Sequence, residues 1–538
     1  MLDISLTRVH GRAGDLFTGT TRSLRPGLVH LTEALWQGLR VRACGEHRVG
    51  GVALAGVSAV VLWLSCPPWG LAWLQWVAAV PVLLAAAWSR PLRAAWLGAI
   101  YGVSVQLLVF CWVPGTLRDF HGLAPAAAAG PWLVMGALGA PTGALVVGSV
   151  PWLRDRLGAA WVCAVPALLV LCEVSTAHLA VIPYAQGLPQ YQVADLVQVV
   201  SVTGASGLTF LVWLVSAGIA HAWLAAGTQR ARWRPLTLVL VLLAAVCGWG
   251  HGRRTALEAQ LGEAPVLRWG QLQSAAPKGT DAAERRRDGS DWAARTRAAA
   301  ELGAELVVWP ETAAAVPMPE SWQRLVPPAG VSLLAGLSVR DPVGPPWSDW
   351  RNAVVQLDHA GRRLGWYDKR YAMPFTESLP GRDALPWPEA VRSGVRELRP
   401  GRGAETFHIG PFRAVAAICY EVVLPWALTE LPPADLLVNV TNDAWLGRGP
   451  GPHLHGMVAA VRAVELGLPV IRAAYTGISF VAEPTGALRG MTRPFEAVTR
   501  VVPVRVATVD TGYRRHPLAF PALMALLLAG LLLTPRRR

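Results

Sequence analysis

The chain has 538 residues, enough for more than one domain. Hydrophobic residues make up 53% and charged residues only 16%, with a mean hydropathy of +0.36; that balance excludes a wholly soluble protein and indicates a membrane protein with a substantial soluble part. The net charge of +14 is scattered over short loops and not gathered on one soluble stripe, which argues for positively charged cytoplasmic loops and against a nucleic-acid partner.

The first 50 residues form a basic N-terminal extension with no secretory signal, and the first apolar run begins near Gly51. It ends at Leu64-Ser65-Cys66. A lipoprotein cleavage site is set aside there, because Trp63 is bulky and further spans follow directly. Apolar runs of spanning length fall near 51–65, 70–88, 94–113, 126–150, 158–177, 206–226, 235–250 and 517–534. With the basic N-terminus inside, the cytoplasmic loops carry Arg90 and Arg93, then Arg154 and Arg156, then Arg230, Arg232 and Arg234, and finally the tail Arg536–Arg538. Eight spans place both termini in the cytoplasm. The expected domains are therefore the extension 1–50, a transmembrane domain of about seven helices over 51–250, an extracytoplasmic domain over 251–515, and a last span with its basic tail over 516–538. Arg253, Arg254, Arg514 and Arg515 break the charge pattern locally, from which long translocated domains are largely exempt. Glu173 is the clearest ionisable group in a span, and an intramembrane carboxylate is a functional candidate by default. Its place near a span end fits an interfacial structural role at least as well.

The block 251–515 reads as alternating α/β. Short β-rich runs occupy Val266–Gln271, Leu306–Trp309, Val331–Leu337, Ala353–Leu357, Phe412–Ile418, Leu436–Val440, Val470–Arg472 and Ile478–Ala482. Helical patterns cover 281–302, 420–430 and 454–467, so a layered sheet covered by helices is the natural architecture. The run Gly447-Arg-Gly-Pro-Gly451 is a loop without the lysine-serine ending of a phosphate loop.

This block holds a single cysteine, Cys419. The other six, at 44, 66, 111, 163, 172 and 247, lie mostly in or beside apolar runs and form no disulfide framework. A lone thiol in a soluble domain is core filler or a nucleophile. Val-Val-Trp-Pro-Glu311 and Trp-Tyr-Asp-Lys369 each end an apolar strand in a charge, as Ala-Ala-Ile-Cys419 ends one in a thiol. Taken singly, Glu311 could be a helix N-terminal carboxylate and Lys369 a surface lysine. Together, glutamate, lysine and cysteine at three strand ends suit acyl transfer: a thiolate attacks, a carboxylate moves the proton, and an ammonium steadies the oxyanion and favours the thiolate.

Four strings carry a family resemblance: Val-Trp-Pro-Glu311; Tyr367-Asp-Lys369-Arg-Tyr-Ala-Met-Pro374-Phe375-Thr-Glu377; Cys419-Tyr420-Glu421; and Asn439-Val-Thr-Asn442-Asp443-Ala-Trp445-Leu-Gly447 with Gly451-Pro-His453 after it. Residues 251–515 resemble the nitrilase superfamily. The whole layout, with Leu188-Pro-Gln190-Tyr191, Gln198 and Gly204-Ala-Ser-Gly207 in the membrane part, resembles the apolipoprotein N-acyltransferases of bacterial inner membranes. Thr376 stands where that family usually has glycine, and Ser378 where it often has an aromatic residue.

The resemblance implies a nitrilase-like α-β-β-α sandwich joined to an all-α transmembrane bundle of about eight helices. It implies Glu311, Lys369 and Cys419 as catalytic residues, with Glu377, Tyr420, Glu421, Asn352 and Trp445 supporting them or binding substrate. Packing by Tyr420, a turn role for Asn352 and an interfacial anchor at Trp445 compete with those roles. His453 and His455 lack ligands at metal spacing, so no metal is expected. The implied reaction moves an acyl chain from a phospholipid, through a Cys419 thioester, to the α-amine of a diacylglyceryl-cysteine on an apolipoprotein. It needs no cofactor, since the ester carries its own activation. The catalytic domain would face the periplasm. A membrane-tethered nitrilase-like amidase acting on a soluble amide is the alternative. A transporter or scaffold is disfavoured by the intact triad and the sparse intramembrane charge.

Overall fold

The computed structural model describes residues 48–120, 122–225, 228–275, 282–317, 325–340, 350–395 and 397–534. The N-terminal extension up to residue 47 and the tail Arg536–Arg538 lie outside the described residues.

Among the described residues, four helical stretches are long and apolar enough to cross a membrane: Pro91–Val109, Pro125–Ala177, Ser206–Leu224 and Gln229–Gly262. The second takes in two of the expected spans, 126–150 and 158–177, which meet at Gly158 in the left-handed region (φ +56°). Shorter apolar helices lie at Gly50–Ser65, Ala72–Ala87, Ala194–Thr203 and Ala519–Leu533. Five of the eight expected spans thus fall in stretches of spanning length, and the other three, 51–65, 70–88 and 517–534, form the shorter helices Gly50–Ser65, Ala72–Ala87 and Ala519–Leu533, so the count of eight membrane-crossing helices is not reached. The Pro91–Val109 helix packs on Ala140–Gly148 through a glycine seam. A Cβ at Gly98 would land on the Gly143 carbonyl, and one at Gly102 on the Gly139 carbonyl. Small residues four apart let two backbones touch where no hydrophobic effect drives helices together.

Beyond residue 262 the chain builds two six-stranded sheets. Strands are β1 (Val266–Gln273), β2 (Leu306–Pro317), β3 (Ser332–Arg340), β4 (Trp350–Leu357), β5 (Arg363–Asp368), β6 (Thr406–Ile409), β7 (Phe412–Ile418), β8 (Leu436–Thr441), β9 (Val470–Ala474), β10 (Phe480–Ala482), β11 (Leu488–Arg489) and β12 (Val498–Arg505). They run in the orders β12-β1-β2-β3-β4-β5 and β11-β10-β9-β8-β7-β6. The pleat sends Leu306 and Val308 inward to meet Ala414, Ala416 and Val438 of the other sheet. Val307 and Trp309 point outward, against Trp292 and Ala299 of the Ala282–Glu301 helix. On the second sheet Val415 and Ala417 point outward, against Ala459 and Ala463 of the Pro450–Leu466 helix. Strands buried on both faces read as continuous apolar runs, which is why these were legible. Four strands lie outside the eight β-rich runs: β5, marked only by the Trp-Tyr-Asp-Lys369 string, and β6, β11 and β12. All four end a sheet, β6 spans only four residues, and β12 carries Pro503, a residue tolerated at an edge. The expected helix over 420–430 is a 3-10 turn, Cys419–Val423, followed by Pro425–Thr429, because Pro425 cannot continue the ladder.

The Pro450–Leu466 helix joins the two parts. While Ala459 and Ala463 face the sheet, Leu454, Met457, Val458, Val461 and Val464 belong to the core of the helical bundle. The same helix holds Arg462, which donates to the Val422 and Val423 carbonyls (2.9 and 3.0 Å) and pairs with Glu465. Glu465 in turn accepts the Ala205 N–H at 2.7 Å. The turn carrying Cys419 is therefore tied to a loop of the bundle.

Candidate active site

Lys369 and Cys419 sit at strand ends as expected, whereas Glu311 lies inside β2, which runs on to Pro317; at all three the backbone leaves its regular course. Glu311 falls within the slip of the β2–β3 register between Trp309 and Ala314, and the next residue, Thr312, has φ +55°. Lys369 is the first residue after β5, and its N–H donates to the Asn352 carbonyl on β4 at 2.8 Å. Cys419 is the first residue after β7 and has φ +49°. Non-glycine residues in the left-handed region are strained and persist where the surroundings over-determine them.

All three side chains are buried. The Lys369 ammonium is 3.1 Å from Glu311 Oε1 and 2.7 Å from the Glu377 carboxylate. Burial alone would lower the lysine pKa, but the two carboxylates outweigh it and hold the ammonium well above its usual range. Burial pushes the Cys419 thiol well above the usual cysteine range, the Glu311 charge adds to this, and Lys369 opposes both without prevailing. Lys369 thus favours the thiolate, as expected, but burial and Glu311 outweigh it, so the balance in the resting site lies toward the protonated thiol.

Glu311 is held from two sides. Asn352 Nδ2 donates to Oε1 at 2.6 Å and the Asn442 N–H to Oε2 at 2.8 Å. Asn352 thus has a place in the site and not merely in a turn. Glu377 accepts the Met373 N–H at 2.8 Å as well as bonding Lys369, so it orients the lysine and shapes its loop. Glu421 acts on the backbone and on the Tyr367 hydroxyl. It accepts the Ile418 N–H (2.7 Å), the Arg370 N–H (2.7 Å), the Tyr371 N–H (3.2 Å) and the Tyr367 hydroxyl (2.9 Å). It staples the lysine loop to the cysteine turn. Tyr420 is buried beside the thiol, with its hydroxyl donating to the Val181 carbonyl at 2.7 Å. Trp445 meets Trp112 of the bundle edge to face, ring centres 6.0 Å apart. Asp443, fully buried, pairs with Arg472 (2.7 Å) and His455 (2.9 Å). Burial would raise its carboxyl, yet the Arg472 guanidinium and the hydrogen bond with His455 hold it well below the usual carboxylate range.

Sequence reasoning missed the far wall of the site. Cys419 lies in a narrow, largely apolar cavity of about 60 Å³ walled by Tyr420, Trp445 and Val458 on one side and by Phe110, Trp112 and Tyr184 of the helical part on the other. Phe110 and Tyr184 also border a second cavity of about 320 Å³ inside the bundle, into which Glu173 projects. The aromatic residues beside Cys111 and the Pro183-Tyr184 turn were the available signals. The membrane-part string does structural work. Gln190 bonds Gln75 (2.7 Å), and Gln198 reaches the Thr485 carbonyl (3.0 Å). Glu173 accepts the Gln186 N–H at 2.9 Å.

Two family models match. The apolipoprotein N-acyltransferase N-terminal domain covers residues 58–218, and the carbon-nitrogen hydrolase model covers residues 259–513. The chain is 28% identical to an apolipoprotein N-acyltransferase of Geobacter metallireducens over 86% of this chain and 91% of that one. It is 28% identical to one of Gloeobacter violaceus over 88% and 92%, and 32% identical to one of Bradyrhizobium diazoefficiens over 54% and 57%. Among solved structures, an amidase from Nesterenkonia sp. aligns with TM-score 0.34 and 19% identity, covering 44% of this chain and 90% of that one.

Proposed function

The chain belongs to the apolipoprotein N-acyltransferase family, and from that membership we propose that Glu311, Lys369 and Cys419 carry its acyl transfer from a membrane phospholipid to the α-amine of a diacylglyceryl-cysteine. It is a membrane protein and an acyltransferase of lipoprotein maturation.

The observation that supports these roles best is the cavity at Cys419, whose walls come from both the helical bundle and the sandwich. An ester entering sideways from a bilayer reaches the thiol with its chain still in apolar surroundings, as burying apolar surface favours. Glu311 takes the thiol proton as Sγ bonds the ester carbonyl carbon. The Lys369 charge steadies the developing oxyanion. The carbon–oxygen bond then breaks, and the lysophospholipid alkoxide leaves with the proton from Glu311. In the second half the amine attacks the thioester. Glu311 takes the amine proton, the carbon–sulfur bond breaks, and the proton returns to the thiolate. A resting thiol suits this scheme, because it stays inert until substrate aligns with its base. We further propose that the apolar stretches cross the bilayer eight times, with 251–515 on the periplasmic side and both termini in the cytoplasm.

The test is acylation. Purified protein incubated with phospholipid labelled in the acyl chain should yield a hydroxylamine-sensitive adduct on the peptide containing Cys419, released by a diacylglyceryl-cysteine peptide. An adduct elsewhere, or turnover of a soluble amide without phospholipid, would overturn the reading and favour the amidase.

A further inference from the structure

We propose that His455 is a positioning residue for this reaction: through the Cys419 carbonyl it aims the Tyr420 N–H as an oxyanion donor. The inference rests on the proposed acyl-enzyme at Cys419.

His455 lies on the Pro450–Leu466 helix, on the wall of the Cys419 cavity. Its Nε2 is 3.2 Å from the Cys419 carbonyl oxygen and its Nδ1 is 2.9 Å from Asp443 Oδ1. A carbonyl oxygen only accepts, so the bond to the Cys419 carbonyl has Nε2–H as its donor. The ring does not serve as a base for the thiol, because its Nε2 is spent on the backbone. Asp443 is itself immobile. Its Oδ1 accepts from the Thr441 hydroxyl at 2.9 Å and its Oδ2 from Arg472 at 2.7 Å. Arg472 is anchored in turn by the Asn439 side chain and the Ile478 carbonyl. A rigid chain of fixed groups therefore runs from the core of β8 and β9 to one peptide oxygen beside the nucleophile.

That oxygen matters because a peptide unit is planar and trans, with its C=O and N–H pointing in opposite directions. Holding the Cys419 carbonyl toward His455 turns the N–H of the same peptide, that of Tyr420, to the opposite side. Two peptides upstream, on the Ala417–Ile418 unit, the Ile418 N–H is held by Glu421 Oε2 at 2.7 Å. Side chains thus hold the backbone on both sides of Cys419, where it adopts its left-handed conformation. A backbone donor held in place before the reaction is what stabilises an oxyanion without reorganisation.

The variants His455→Gln, His455→Asn and His455→Ala separate this role from packing. Glutamine carries an amide N–H near the Nε2 position and can still hold the carbonyl; asparagine reaches only toward Asp443. Thioester formation at Cys419 is measured in single turnover with labelled phospholipid, beside melting temperature in detergent. His455→Gln should keep the rate within about fivefold of wild type, the scale of one neutral hydrogen bond. His455→Asn and His455→Ala should fall roughly 100-fold at unchanged phospholipid KM, the usual consequence of misplacing a reacting group. The glutamine and asparagine variants should melt alike. Equal rates in those two variants, or rates that merely follow melting temperature, overturn the role of His455. A wild type that forms no thioester overturns the acyl-enzyme reading beneath it, so the two failures are distinguishable.

Discussion

Lys369 and Glu311 each depend on neighbours that offset their charge. Lys369 is 2% exposed and serves two carboxylates at once, so substitutions at the site have both a chemical and a structural effect. Cys419→Ser should lose thioester formation while still folding, because a serine hydroxyl is far less ionised than a thiol and Glu311 is matched to sulfur. Labelled phospholipid and a melting curve check both parts. Glu311→Gln keeps shape but removes the base, and single-turnover acylation should drop by orders of magnitude. Lys369→Met should cost about 3–4 kcal/mol of transition-state stabilisation, and it should also lower the melting temperature by leaving Glu311 and Glu377 unpaired. Glu377→Gln should cost less if it only orients the lysine. Wild-type rates in the first two variants with loss in the third would make Glu377 the catalytic carboxylate. The thiol has its own signature. Because burial and Glu311 raise its pKa, the thiolate fraction is small at neutral pH and grows as pH rises. Iodoacetamide alkylation of Cys419 should therefore be slow and still climbing at pH 9, whereas a plateau near pH 7 would mean the charge of Lys369 prevails.

At the scale of elements, the bulge in β2 and the ends of β5 and β7 place the residues, and the loops hold them. Glu421 shows how one carboxylate joins two elements, since its acceptors bind β7, the start of the lysine loop and the Tyr367 hydroxyl together. Glu421→Ala leaves several buried donors without partners, and a hydrogen bond to a charged group is worth roughly 1.5–3 kcal/mol. The variant should unfold more readily and lose activity together, in contrast to Cys419→Ser, as thermal unfolding in detergent would record. In the bundle, Gly98→Val would drive a side chain into the Gly143 backbone and separate two helices. The cavity side of the site should suffer in proportion, with loss of folded yield as the readout.

For the molecule as a whole, the Pro450–Leu466 helix belongs to the sandwich and the bundle at once, so the two parts are one packed body at this junction. His178 stacks on Trp426 with ring centres 3.9 Å apart, a further contact across it. The proposed orientation makes a direct prediction. Alkaline-phosphatase fusions after Glu263 should be active and fusions after Arg232 inactive, since the enzyme folds only outside the cytoplasm. The opposite pattern would place the catalytic domain on the side where lipoprotein precursors are not matured.

The sequence by itself determined the residue types of the triad, their order along the chain and the apolar runs that hold them. Those are local properties: a strand buried on both faces is written as an unbroken apolar run, and a charge at its end stands out against it. The edge strands β5, β6 and β12 left a weaker mark, because half-exposed pairing tolerates polar residues, proline and short length. Only the tertiary structure decided which way the Cys419 thiol shifts, because burial and the Glu311 charge, 108 residues away in the chain, act against Lys369, 50 residues away. It alone gave His455 a partner in the Cys419 carbonyl, where the spacing of two histidines had pointed only to a weak metal motif. It alone put Phe110, Trp112 and Tyr184 across from the thiol. Contacts between residues hundreds of positions apart depend on how elements pack, and that information is spread over every residue at the junction rather than written in any one string.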